Sequence, residues 1–97
     1  MRTPFPTDTH PLVSTAWLAA QAGAEDLFVV DGSYVTNPDA PDVAEAFLRG
    51  HIPSASLFDI RDIRDQNHPA PLMLPSASDF ATRVGAMGIG NHHRIVV

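Results

Sequence analysis

The chain has 97 residues, enough for one domain at most, and a chain of this size buries only about 60–65% of its unfolded surface, so its core must be modest. Hydrophobic residues make up 44% and charged residues 18%, which is a globular composition and excludes the polar, highly charged make-up of a disordered chain. The net charge is −5, from six arginines and no lysine against nine aspartates and two glutamates. With no basic cluster the chain is a poor match for a nucleic-acid backbone or an anionic membrane, and no apolar run approaches the ~20 residues of a membrane helix.

Cysteine is absent. That rules out a disulfide scaffold, a zinc–cysteine site and a cysteine nucleophile on this chain. The N-terminal residues MRTPFPTDTHPLV contain no apolar h-region, so a cytoplasmic location is expected. No cofactor and no metal is expected.

Residues 1–11 hold Pro4, Pro6 and Pro11 among polar residues and read as an extended lead-in. The first helix is predicted over Thr15–Ala22. Ser14 serves as its N-cap, Trp17 and Leu18 form its inner side, and Gly23 is its stop. Leu27–Val30 is a continuous apolar run closed by Asp31-Gly32-Ser33. Four apolar residues without alternation predict a strand buried on both faces, as in parallel sheets.

Residues 37–42, with two prolines and two aspartates, predict a loop. Val43, Phe47 and Leu48 then fall at helical spacing, with Gly50 as a stop. Ser56–Ile60 predicts a second short strand. Asp65–Pro75, with three prolines, predicts irregular chain. A third helix begins at the Ser76/Asp79 capping pair and carries Phe80, Val84 and Met87 on one face, read as core, before Gly88 and Gly90. Arg94–Val97 predicts a third strand.

Strands and helices in alternation predict an α/β fold, a parallel sheet flanked by helices. Three strands with no helix after the last leave one sheet face under-covered, so the architecture reads as an incomplete domain.

The segment FLRGHIPSASLF, Phe47 to Phe58, resembles the N-terminal signature of rhodanese-type sulfurtransferases through Phe47, His51, Ile52, Pro53, Ala55 and Phe58. Ser54 stands where that family usually has glycine. Further segments resemble the two-domain thiosulfate or 3-mercaptopyruvate enzymes in the same order. They are LVSTAWLAAQ (Leu12 to Gln21), VVDGSY (Val29 to Tyr34), MLPSASDFATRVGAMGIG (Met73 to Gly90) and the final RIVV.

The resemblance implies that residues 12–97 are part of a rhodanese-like N-terminal domain without catalytic residues. The sulfur-carrying cysteine would lie in a C-terminal rhodanese domain, which is the implied partner, and the substrate would be a small sulfur-containing anion. The alternative is a stand-alone, non-catalytic rhodanese-like binding module.

In the enzymes that use 3-mercaptopyruvate, the resemblance places an acid and a histidine at positions that here hold Arg61 and Leu72. Neither offers a group for proton transfer. Arg61 could attract an anion such as thiosulfate, or pair on the surface with Asp62 or Asp65. Asp59, Arg61 and His68 are the substrate-cleft candidates, because ligands of open α/β sheets gather at the carboxyl ends of strands. His51 and Pro53 are read as structural, the imidazole tying down the end of a helix. Asp31 is read as a turn aspartate bonding its own backbone. His92-His93 is read as a polar turn, since adjacent turn residues seldom point the same way and no third ligand is suitably spaced.

Overall fold

The computed structural model describes residues 11–97, so the lead-in expected over residues 1–11 lies, apart from Pro11, outside the described residues. Helices and strands alternate: α1 (Thr15–Gln21), β1 (Leu27–Asp31), α2 (Val43–Arg49), β2 (Ser56–Leu57), α3 (Ala77–Ala86) and β3 (Arg94–Val96). The strands form one sheet in the order β2-β1-β3. Both pairings are parallel, with Val30 opposite Ser56 and Phe28 opposite Ile95. The expected α/β fold with a parallel sheet is therefore present, and the apolar run of β1 is its central strand.

The helix ends follow local chemistry. Ser14 accepts a hydrogen bond from the Trp17 N–H at 3.0 Å and caps α1, which ends at Gln21, one residue before the expected Ala22. Ser76 does the same for α3 through the Asp79 N–H at 3.1 Å. α3 closes when Gly88, at φ +102°, lets the Ile89 N–H reach back to the Val84 carbonyl at 3.1 Å. The second strand is shorter than predicted. The Phe58 N–H still donates to the Asp31 carbonyl at 2.9 Å, but the Asp59 carbonyl then accepts from Asp62 and Ile63 at 3.0 and 2.9 Å. That turn carries Ile60 out of the ladder. Residues 65–75 are irregular, as their prolines require.

Alternation along β1 divides the interior. Leu27 and Val29 point to one face with Arg94 and Val96, whereas Phe28 and Val30 share the other with Ile95 and Val97. A groove beside Val29 is lined by Leu18, Ala19 and Ala22, which places α1 on the first face. Phe80 and Val84 lie beside Val30 and Ile95, which places α3 on the second. Among the described residues the buried apolar side chains are Val29, Val30 and Val43, and none is sealed off completely.

Helical spacing does not translate into burial in α2, and one core expectation, Phe80 in α3, needs correction. Leu48 is 81% exposed, so the inner side of α2 is Val43 with a half-buried Phe47. Phe80 is 44% exposed, and no residue of α3 is fully buried. Helical spacing defines a face, but burial needs a second surface against it, and beside α3 the second sheet face stays open along Ile95 and Val97.

One buried charge spans the sheet. Arg94, 5% exposed, holds the Asp26 carboxylate in a bidentate pair, Nε to Oδ2 at 2.9 Å and a terminal guanidinium nitrogen to Oδ1 at 3.0 Å. Its guanidinium carbon lies 5.7 Å from the centroid of the Trp17 ring. The pair joins the start of β3 to the chain just before β1, and Trp17 of α1 covers it.

The turn after α2 explains the departure at Ser54. The Ile52 carbonyl accepts from the Ala55 N–H at 2.9 Å, Pro53 occupies the second position, and Ser54 sits at φ +71°. This is the type II pattern, in which the third position favours glycine. Serine there carries left-handed strain of about 1–2 kcal/mol.

Two stability predictions follow from these features. Ser54→Gly should raise stability by about 1 kcal/mol, seen as a higher urea midpoint at unchanged m-value. Arg94→Met should cost about 3 kcal/mol by leaving the Asp26 carboxylate unpaired, and Asp26→Leu in the same chain should recover part of that loss. Equal stability of the single and double variants would contradict the assignment of the pair as a buried clamp.

Candidate functional site

Parallel strands bring their carboxyl ends to one edge, and that edge is where chemistry can collect. Here β1 ends in Asp31-Gly32-Ser33 and β2 runs into Asp59-Ile60-Arg61. A cavity of about 390 Å³ opens at this edge beside Asp31, Ser33, Ile52 and Ala55.

Asp31 is a turn aspartate. Its Oδ1 accepts from the Ser33 N–H at 3.0 Å and from the Ser33 hydroxyl at 2.5 Å. The Ser33 hydroxyl bond, and then the Ser33 backbone bond, hold the Asp31 carboxyl below its usual value, with a smaller contribution from His51. The side chain is therefore an anion at neutral pH, positioned rather than free to swing.

Asp59 and Arg61 are brought together. Asp59 Oδ1 accepts from the Arg61 backbone N–H at 3.0 Å and lies 3.5 Å from Arg61 Nε. The guanidinium also donates to Asp42, 19 residues earlier in the chain. That bond holds the Asp42 carboxyl below its usual value and raises Arg61 further above its own. Asp42 stands at the N-cap position of α2, yet makes no side-chain capping bond there. Arg61 thus has two carboxylates on it, and the cluster as a whole is acidic. Arg61 is paired with aspartates, but with Asp42 and Asp59 and not with the Asp62 or Asp65 expected from the sequence.

His68 is not joined to that cluster by any hydrogen bond among the described residues. Its Nδ1 accepts from the Ala70 N–H at 3.0 Å and its own N–H donates to the Asp65 carbonyl at 3.3 Å, so its bonds run within its loop. That loop is closed by the Asp65 N–H donating to the Met73 carbonyl at 2.8 Å, and Leu72 sits in it at φ +57°. His51 Nδ1 lies 2.6 Å from the Phe47 carbonyl at the end of α2, and its ring stacks on Phe47 with centroids 3.8 Å apart. Pro53 fixes the turn that follows.

His92 and His93 do face one another, contrary to the sequence expectation, with ring centroids 4.0 Å apart. The tight turn from Gly90 into β3 folds the two rings together. Among the described residues no three histidine, cysteine or acidic side chains gather as a metal would need. No helix among them is long and apolar enough to cross a membrane.

Sequence reasoning missed Asp42 and the Asp26–Arg94 pair. Nothing local marks either, because the partners are 19 and 68 residues apart.

No family model matches the chain. Individual proteins do. Over 90 residues, 89% of this chain and 30% of that protein, it is 41% identical to thiosulfate sulfurtransferase from Bos taurus. It is 34% identical to thiosulfate/3-mercaptopyruvate sulfurtransferase 1, mitochondrial, from Arabidopsis thaliana over 89 residues, 92% of this chain and 24% of that one. It is 32% identical to 3-mercaptopyruvate sulfurtransferase from Escherichia coli over 87 residues, 88% of this chain and 31% of that one. The crystal structure of SseA from Escherichia coli, described as a 3-mercaptopyruvate sulfotransferase with the rhodanese fold, superposes at a TM-score of 0.65 with 33% identity, covering 70% of this chain and 26% of that one. The chain therefore spans less than a third of the length of these relatives.

The Asp31 geometry makes a prediction. A carboxyl lowered in the folded state stabilises the fold above its unfolded value, near pH 4, and that contribution is lost as the pH falls through the lowered folded value. Ser33→Ala should remove most of it. Carboxyl titration followed by NMR should show Asp31 moving up toward an ordinary aspartate, and the variant's stability deficit should be present at pH 7 and vanish in strong acid.

The parallel sheet, the structural match and the sequence matches together support a rhodanese-family sulfurtransferase fragment covering about 90 residues of this chain.

Proposed function

We propose that residues 12–97 are part of the N-terminal, non-catalytic domain of a two-domain sulfurtransferase, and that this protein moves sulfane sulfur from thiosulfate or 3-mercaptopyruvate to a thiophilic acceptor. The observation that carries this reading is a conjunction. The chain matches sulfurtransferases over about 90 residues, less than a third of their length, and holds no cysteine.

The chemistry explains why the two facts belong together. A thiolate attacks the outer sulfur of the donor, a new S–S bond forms, and the donor's bond to that sulfur breaks. With thiosulfate the group that leaves is sulfite. The acceptor then attacks the outer sulfur of the persulfide and the thiolate is restored. Nothing in this chain can carry that sulfur. The cysteine belongs, on this reading, to a C-terminal rhodanese domain, which is the partner of this one.

What this chain supplies is scaffold and one wall of the substrate cleft. Asp59 and Arg61 lie at the strand edge of that wall, and His68 is in the loop that follows. Because Arg61 is already held by Asp42 and Asp59, it serves this wall as a brace and contributes little free positive charge to a small anionic substrate. A cytoplasmic location belongs to the same reading. The open sheet face along Ile95 and Val97 supports a domain with further elements over a self-sufficient binding module.

The test is direct. The purified 97-residue chain, given thiosulfate and cyanide, should form no thiocyanate and should gain no sulfur in its intact mass. The reading frame beyond the codon for Val97 should encode a cysteine-bearing second domain, and the longer product should turn over. Sulfur transfer by the 97-residue chain itself would overturn the division of labour.

A further inference from the structure

The turn Gly90–His93, which feeds β3, is closed by a pair of reciprocal hydrogen bonds. The His93 N–H donates to the Gly90 carbonyl at 3.1 Å, and the Gly90 N–H donates to His93 Nδ1 at 2.8 Å. The second bond has a chemical condition. A backbone N–H can only donate, so Nδ1 must present its lone pair, and the ring must be neutral with its proton on Nε2. His51 differs on this point: the atom facing its Nδ1 is a carbonyl oxygen, which accepts from neutral and protonated rings alike.

The surroundings sharpen the condition. His93 is half-buried, with Phe28 of β1 edge-on to its ring at 5.4 Å between centroids. The His92 ring lies at 4.0 Å. The next residue is Arg94, buried and paired with Asp26. The charged and titratable groups around the turn are therefore His92 and Arg94 on its own segment and Asp26 ahead of β1, whose charge Arg94 already takes up. The fit is close: a Cβ at Gly90 would stand 3.0 Å from the His92 ring.

We propose that the Gly90–His93 turn is an acid-sensitive latch on β3, closed only while His93 is neutral. A proton on Nδ1 turns the acceptor into a donor that faces the Gly90 N–H. It also adds a positive charge beside the His92 ring. The turn then opens at the amino end of β3, where Arg94 begins the pairing to β1. The strand edge that carries Asp31 and Asp59 lies at the opposite end of the sheet, so the latch acts on the attachment of β3 and leaves that edge alone. Free histidine titrates near pH 6.5, within the range cells reach.

The test uses the whole chain. Nitrogen NMR of the His93 ring at pH 8 should show the neutral form with its proton on Nε2 and Nδ1 as acceptor. Between pH 7.5 and 5.5 the urea midpoint of the wild-type chain should fall, with the unfolding equilibrium shifting about threefold to tenfold, the worth of one hydrogen bond. His93→Gln keeps an acceptor that does not titrate, so its fall should be much smaller, whereas His92→Gln should retain the wild-type fall. A proton on Nδ1 at pH 8, or equal falls in wild type and His93→Gln, would overturn the proposal. Should His93→Gln fail to fold, the ring tautomer in the wild-type chain decides the matter alone.

Discussion

The structure is organised around a single buried contact, the bidentate pair of Arg94 with Asp26 under the Trp17 ring. A guanidinium out of water is stable only where its donors and charge are satisfied, so the pair fixes where β3 can start relative to β1. That fixes the register Leu27↔Arg94, and the register assigns Ile95 and Val97 to the face shared with Phe28 and Val30. α1 is drawn into the same arrangement, because Trp17 covers the pair. With so few side chains fully buried, specificity at this point comes from charge and geometry as well as from apolar area.

The two ends of the sheet do different work. The amino end is held by the Asp26–Arg94 pair and by the histidine turn that leads into it. The carboxyl end collects polar side chains, each engaged by a neighbour: Asp31 by Ser33, and Arg61 by both Asp42 and Asp59. That second end is acidic and preorganised, with its carboxylates held by fixed donors.

Strain also has a traceable origin. Ser54 occupies the left-handed position of a type II turn that Pro53 and the Ile52–Ala55 hydrogen bond impose. The turn is required to bring the chain from the end of α2, tied by His51 to Phe47, into β2 beside β1. The turn geometry has been kept with a residue that suits it less well than glycine. Leu72 holds a similar backbone conformation in the loop that the Asp65–Met73 bond closes.

Much of this was legible in the residues. The unbroken apolar run of β1 specified a central parallel strand, Ser14 and Ser76 marked two helix starts, and the prolines of residues 65–75 marked irregular chain, because each is decided by neighbours within four positions. The resemblance to the family was carried by Phe47, His51, Ile52, Pro53, Ala55 and Phe58, with further matching segments in the same order. Helical spacing also chose the inner faces of α2 and α3, but it could not say how much of each face is covered: Leu48 and Phe80 are exposed because burial depends on a second surface. The early end of β2, the facing rings of His92 and His93, the Asp42–Arg61 brace and the Asp26–Arg94 clamp belong to the tertiary structure alone. Each depends on groups that only the folded sheet brings together or on a turn whose tightness the residue types do not encode, and no local pattern of polarity records such a meeting.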